Sequence, residues 1–421
     1  MPAPTSMDTA QIHGGCPAAA PEIQYLTRES IGAYVSAMFP EADTVAPAMT
    51  AVLTAVLTEG PLSRVGLARR LGLSQAAVTK AARPLIERGY LQELAATERS
   101  GPGAGRPASP LAIRPDREFF VGVKITADEL IGVLCDFGAQ VRASAHRPLP
   151  HSDVEHVLTE LGHLVDDLLD GPGDYRAHTR RLGLAVSGDV DRATGLVRYS
   201  PFLQWHDVPL QERAEEVTGL TVTVENDVKA LTIAEHWFGD GVGAESFALV
   251  TVGTGIGCGL VVNGRLVSGS HGVAGEIGHI GVDVNGPACH CGGRGCVEAI
   301  AGTDAIVARA RQRSGRPELT FDDAVALARG GDERVGTVFA EAGNAIGCGI
   351  AAVANLVGPA HIVVSGEGLA AYDLFEPHIR GGFERQAFGA AAQCPLSVRP
   401  LPFEEWARGA ATVSIQAFVA A

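Results

Sequence analysis

The sequence predicts an α/β body made of two similar halves, preceded by a small helix-turn-helix head. Three observations lead there. A three-strand texture, FFVGVKI, ELIGVLCDF and QVRASAHRPL, starts after Glu118 and returns as FALVTVG, CGLVVNG and RLVSGS beyond residue 245, with helical stretches in between. Before Glu118 the pattern is helical, with Ser63 and Ser74 each placed to cap a short amphipathic run around Gly72. The charge is also uneven: nine Lys or Arg stand against three acids between Pro61 and Arg114, in a chain of 421 residues whose net charge is −15. A basic head on an acidic body directs a polyanionic partner to the head alone.

Taken in order, residues 1–44 read as a leader, partly disordered, with no basic segment followed by an apolar stretch that would mark secretion. Within it Ile23, Leu26, Ile31, Tyr34 and Met38 are spaced for a short helix between Pro21 and Pro40. The segment 45–114 reads as a winged helix-turn-helix DNA-binding domain. Its first helix carries Met49, Val52, Leu53, Val56 and Leu57 at three- and four-residue spacing and stops at Glu59-Gly60-Pro61. The second holds Val65, Leu67, Ala68 and Leu71. The third, opened by Ser74, turns Val78, Ala82, Leu85 and Ile86 inward and leaves Gln75, Ala76, Thr79, Lys80 and Arg83 outward. Gln and Arg can address base edges in a major groove, whereas Lys, Thr and a helix N-terminus at Ser74 suit phosphates. Pro84 removes one internal hydrogen bond, so a bend or an early end is expected there. The following ATERSGPGAGRPASPLAIRPD reads as a wing, with Arg106 held between Gly105 and Pro107 to enter a minor groove.

The first half of the body spans 118–244 and the second 245–401, with a last helix in 402–421 packing back on the first half. Helices are expected over Ser152–Leu169 and Val228–Trp237. The apolar runs are short and broken by Gly, Asp or Arg, which excludes a membrane span, and eight cysteines, three of them clustered, fit a reducing cytoplasm.

The cluster lies in GEIGHIGVDVNGPACHCGGRGCVE, residues 275–298. Cys289, Cys291 and Cys296 follow a Gly-His pair by ten residues, and three thiols plus one imidazole is a set that tetrahedral zinc accepts. His279 and His290 compete as fourth ligand. His290, between two ligand cysteines, would point away from their shared ion, which favours His279.

The run from Val252 to Gly302, VGTGIGCGLVVNGRLVSGSHGVAGEIGHIGVDVNGPACHCGGRGCVEAIAG, resembles the signature of the ROK family of sugar kinases and sugar-responsive repressors. The resemblance covers about residues 118–421, and the preceding segment resembles the winged-helix head of the repressor branch. It implies a two-lobed actin-like, hexokinase-type body with a sugar site between the lobes. Glu225-Asn226-Asp227 matches the family's sugar-binding and catalytic-base motif, Glu276 and His279 match its Gly-Glu-x-Gly-His, and Glu298 matches the acid after the last thiol. A hexose needs such a convergence of carboxylates, amide and imidazole.

Kinases of the family also carry two phosphate-binding loops. The second, Gly253-Thr254-Gly255-Ile256-Gly257, is present, and Ser365-Gly366-Glu367-Gly368 approximates the adenosine-side turn. The loop either holds the phosphate of a sugar phosphate or is a structural turn. Where the first loop has Asp-x-Gly-x-Thr, this chain reads Lys124-Ile125-Thr126-Ala127-Asp128, which leaves Asp227 a vestigial base. The expectation is therefore a regulator, not an enzyme, with structural Zn2+, double-stranded operator DNA and a sugar or sugar-phosphate effector as partners, assembled as a homodimer or homotetramer. The alternative is an active ATP-dependent sugar kinase with an appended DNA-binding head.

Overall fold

In the computed structural model, residues 45–95 and 109–420 are described. The leader, the expected helix within 21–39 and the wing tip with Arg106 lie outside them. The chain divides into two compact units, 1–47 and 48–421, the first described only where a helix begins at Val45.

Helices Val45–Glu59, Arg64–Leu71 and Gln75–Glu87 form the head. Ser63 accepts the Gly66 amide at 3.1 Å and Ser74 accepts that of Ala77 at 3.1 Å, so each cap satisfies an otherwise orphaned donor. Gly72 closes the turn between them in the left-handed region at φ +66°. Pro84 does not end the third helix, which continues to Glu87. One turn further on, the Arg88 N–H bonds back to the Pro84 carbonyl at 3.0 Å, so helical hydrogen bonding continues past the proline. Strands β1 (Leu91–Glu93) and β2 (Leu111–Ile113) then pair antiparallel.

Two five-stranded sheets make the body. The first contains β3 (Phe119–Ile125), β4 (Glu129–Asp136), β5 (Val141–Pro148), β6 (Thr179–Val186) and β10 (Thr221–Asn226), in the order β10-β6-β3-β4-β5. β3, β4 and β5 form an antiparallel meander, to which β6 and β10 add in parallel. The second sheet repeats this plan with β11 (Ser246–Val252), β12 (Ile256–Val262), β13 (Arg265–Leu266), β14 (His361–Ser365) and β15 (Leu396–Val398). The repetition is that of the actin-like fold. A third, small sheet of β7 (Asp189–Asp191), β8 (Leu196–Ser200) and β9 (Trp205–Pro209), which no sequence pattern announced, is inserted between β6 and β10. The helix Glu333–Val357 is long and apolar enough in composition to cross a membrane. It is a core helix here, with Val338, Phe339, Ile346 and Ile350 buried under the second sheet.

Strand periodicity explains how the parts join. On β3, Phe119, Val121, Val123 and Ile125 face the helix Val154–Leu169, and the alternate set Phe120, Gly122 and Lys124 faces the other way. That second face is crossed by the last helix, Glu404–Ala420. Gly122 and Gly183, register partners on β3 and β6, lie beneath it, and a methyl group on Gly183 would overlap the Ala410 carbonyl. Beyond the glycines the same face reaches the head. Phe418 packs 5.7 Å from Tyr90, Phe120 and Phe137, and one apolar core runs from Val52, Leu67 and Val78 of the head to Ile131 and Ile415 of the body.

Gly183→Ala must therefore push the last helix off the sheet and is expected to cost about 2–3 kcal/mol in chemical denaturation. Gly162→Ala, at a half-buried position of the helix Val154–Leu169 where the nearest foreign atom is 3.9 Å away, should instead gain roughly 0.5–1 kcal/mol.

Candidate functional site

A cleft of about 390 Å³ opens where the carboxyl ends of β3, β6, β10 and β11 converge between the two sheets. Strand ends of this kind leave backbone groups and loop side chains free for ligands. Asn226, the last residue of β10, caps the helix Asp227–Phe238: its Oδ1 accepts the Lys229 amide at 3.2 Å and its Nδ2 donates to Gly188 at 3.1 Å. Asp227 follows in the first turn and is buried. Its carboxylate receives the Val228 amide at 2.9 Å and the Ser187 hydroxyl at 2.6 Å, and forms an ion pair with Lys124. Lys124 also donates to Ser187 Oγ at 3.1 Å and lies 5.5 Å from the centre of the Trp406 ring. Burial alone pushes the Asp227 carboxyl up, but the Lys124 charge and the hydrogen bonds from Lys124, Ser187 and Val228 outweigh it and hold the group below the usual carboxylate range.

Glu276 and Glu298 line the opposite wall. Burial pushes the Glu276 carboxyl up against the pull of His279 and Lys229. Glu298 accepts the Ile256 amide at 3.0 Å through one oxygen and meets His290 Nε2 at 2.7 Å through the other. Of the expected loop, Gly253, Thr254, Gly255 and Gly257 all line the cleft. The Gly253 amide bonds the Gly255 carbonyl at 3.1 Å, and the Thr254 amide donates to Glu367 Oε1 at 2.8 Å.

Behind this wall His279, Cys289, Cys291 and Cys296 bring one nitrogen and three sulfurs within 4.8 Å of one another. His279 Nδ1 is 3.6 Å from Cys289 Sγ, and Cys291 Sγ is 3.8 Å from Cys296 Sγ. A tetrahedral ion with Zn–S of about 2.3 Å and Zn–N of about 2.0 Å sets ligand edges of about 3.5–3.8 Å, so the group fits such an ion. Gly292 and Gly295, at φ +87° and +61°, let the loop turn back on itself this tightly. His279 stands with the thiols and is not among the residues lining the cleft, whereas His290 turns to Glu298.

With two like sheets, an Asn-Asp pair at a strand end and a Cys3His loop behind the cleft, the chain can be compared with known proteins. Residues 120–416 match the ROK family. The chain belongs to the ROK family. It is 33% identical over 343 residues to the DNA-binding transcriptional dual regulator NagC of Escherichia coli, covering 79% of this chain and 83% of that one. A solved ROK family transcriptional regulator, homologous to the E. coli MLC protein, matches with a TM-score of 0.75 at 26% identity, over 89% of this chain and 97% of that chain. A ROK family glucokinase from Streptomyces griseus, solved with glucose and AMPPNP, matches with a TM-score of 0.61 at 28% identity, over 71% of this chain and 99% of the enzyme. The kinase-like part is thus the body, and the match to the regulator extends further.

In this ROK protein the sequence had pointed to Asn226, Asp227, Glu276, His279 and Glu298, and the structure brings four of them to one cleft while His279 stands with the thiols. Two residues had escaped notice, Ser187 and Lys229, and two, Lys124 and Glu367, had been noted only as parts of loops. Lys124 and Ser187 act on Asp227. Lys229, whose side chain bonds the Gly272 carbonyl, ties the helix Asp227–Phe238 to the loop before Glu276, and Glu367 meets the glycine loop. The legible signal was the replacement of an acid by Lys124 at the end of a buried strand, a cation that must find a partner. On the head, Ser74, Gln75, Ala76, Thr79, Lys80 and Arg83 are all exposed, Thr79 bonding back to the Gln75 carbonyl and Arg83 paired with Glu87 at 2.8 Å.

Lys124→Ala strands Asp227 as a buried unpaired carboxylate and should lower stability by about 3–5 kcal/mol, whereas the pair replaced together by Met and Asn should cost far less. Because the folded Asp227 carboxyl titrates below its unfolded value of about 3.9, its contribution is complete above about pH 4 and is lost as pH falls through the lower folded value. Denaturation midpoints of Asp227→Asn measured against pH should lack that acidic loss.

Proposed function

We propose that this protein is a sugar-responsive DNA-binding transcriptional regulator, a repressor by affinity with its relatives, and not a working kinase. The observation that carries this reading is the state of Asp227. A base for a sugar hydroxyl must be free to take its proton, yet Asp227 is buried against Lys124, which stands where a family kinase carries its metal-side acid. Of the other residues in the cleft, Asn226, Glu276 and Glu298 supply the mixed donors and acceptors that hexose hydroxyls require, and Phe202 and Trp406 offer aromatic faces. The exposed Ser74–Arg83 face of the third helix supports insertion into a major groove, with Arg106 in the wing. Paired half-sites call for a homodimer or homotetramer, acting in the cytoplasm.

A ligand changes DNA affinity only by binding two conformers unequally. The last helix offers the mechanical link. Trp406 packs with Phe247, Leu249 and Val363 of the second lobe beside the cleft, and Phe418 packs on Tyr90 beneath the head. The four ligand atoms support a structural zinc ion held by His279, Cys289, Cys291 and Cys296. Such an ion supplies a crosslink in place of a core, and keeps the wall carrying Glu276 and Glu298 in position.

The deciding experiment is a titration of the protein against DNA upstream of its own gene, with and without hexoses, pentoses, amino sugars and their 6-phosphates. Release by one sugar is expected, and ADP production at ordinary kinase rates of about 1–100 per second would overturn the assignment. Lys80→Ala should weaken binding to all sequences alike and reduce the salt slope of log K by about 1. Metal analysis of the purified protein should find zinc, and Cys296→Ser should lose it.

A further inference from the structure

The glycine loop of this cleft already has an occupant. β11 and β14 are parallel neighbours with Thr251 opposite Ser365, so the turns that follow them, Gly253–Gly257 and Gly366–Gly368, lie side by side at the cleft. In the second turn the middle residue is Glu367, at the start of a short 3-10 helix. Its carboxylate accepts the Thr254 amide at 2.8 Å and sits so close to the loop that a methyl group on Gly253 would overlap it. On the far side of the same loop Glu298 takes the Ile256 amide at 3.0 Å. Outward backbone amides in a glycine turn are what a phosphoryl group would bind, and here two of them hold carboxylates.

We propose that Glu367 is a built-in substitute for phosphate, a specificity residue that closes the loop to phosphoryl groups and restricts the cleft to unphosphorylated ligands. A phosphoryl oxygen reaching Thr254 must displace a carboxylate bound there and then remain beside it. The rest of the lining adds to that repulsion. Besides Glu367 it carries five carboxylates, Asp128, Glu129, Asp227, Glu276 and Glu298, against two lysines, and one of these, Lys124, is committed to Asp227. A like charge at 4 Å costs about 1 kcal/mol in water and several-fold more in a partly dry cleft. An uncharged sugar meets no such term, and its hydroxyls can donate to the same carboxylates.

This inference rests on the reading of the cleft as a sugar site, but its test does not require the sugar to be known. Isothermal titration of the full-length protein with magnesium ADP and with glucose 6-phosphate is compared for wild type, Glu367→Ala and Glu367→Gln. The alanine variant is expected to bind at least one of the two about tenfold more tightly than wild type or better, with the glutamine variant between them. Thermal melts of each variant identify any that has not folded, and the glutamine variant, which keeps the size of the side chain, then carries the comparison. Equal affinities in wild type and a folded variant overturn the proposal, as does wild type binding either phosphate ligand as tightly as the variants. A gain in the variants with no unphosphorylated sugar binding to any of the three would sustain the role of Glu367 and overturn the sugar reading instead.

Discussion

The structure depends on the close approach of one helix to one sheet. Gly122 and Gly183, side by side on β3 and β6, remove the side chains that would otherwise hold Glu404–Ala420 at the usual distance, and the helix lies with its backbone almost on theirs. At that separation every side chain around the contact is placed with little freedom. Trp406 is set against Lys124 at one end of the helix, and Phe418 is set among Tyr90, Phe120 and Phe137 at the other. The head is therefore joined to the first lobe by a continuous core and does not hang from a linker.

Charge in the cleft has been rearranged around this frame. A kinase of this architecture needs a free base and a place for nucleotide phosphates, and on the proposed reading both are taken up by the protein's own side chains. Lys124 and Ser187 hold Asp227, while Glu367 and Glu298 hold amides of the glycine loop. Lys124 is ion-paired with Asp227, and Glu367 accepts the Thr254 amide. The scaffold keeps its shape, and the groups that would accept a proton or a phosphoryl group are satisfied internally. On the proposed reading binding and chemistry are separable in this way, because a hexose is recognised by hydroxyls that carboxylates and amides would still reach.

The loop of residues 275–298 contributes by constraint. It contains several glycines and reaches the core of the second lobe through Ile277, Ile280, Val282 and Val297 near its two ends. Between them three sulfurs and a nitrogen lie within 4.8 Å of one another, where on the proposed reading an ion would fix the rest of the loop, and Glu276 and Glu298 stand on either side of them in the sequence. His290 meets Glu298 from the same loop, so the ordering at the thiols passes directly to a carboxylate of the cleft.

The sequence by itself determined whatever is local or periodic. The capping serines, the period-two strands repeated in two halves, the spacing of Cys289, Cys291 and Cys296, and the Asn226-Asp227 pair were all legible, because hydrogen-bond geometry and side-chain alternation act over a few residues. The replacement of an acid by Lys124 was legible too, but not its consequence. Only the tertiary structure decided that Lys124 meets Asp227 across 103 positions of chain, that Glu367 meets Thr254 across 113, and that two glycines in separate strands become neighbours under the last helix. Such pairings follow from which strands lie side by side and how far each runs, a property of the whole sheet that no single stretch of residues contains.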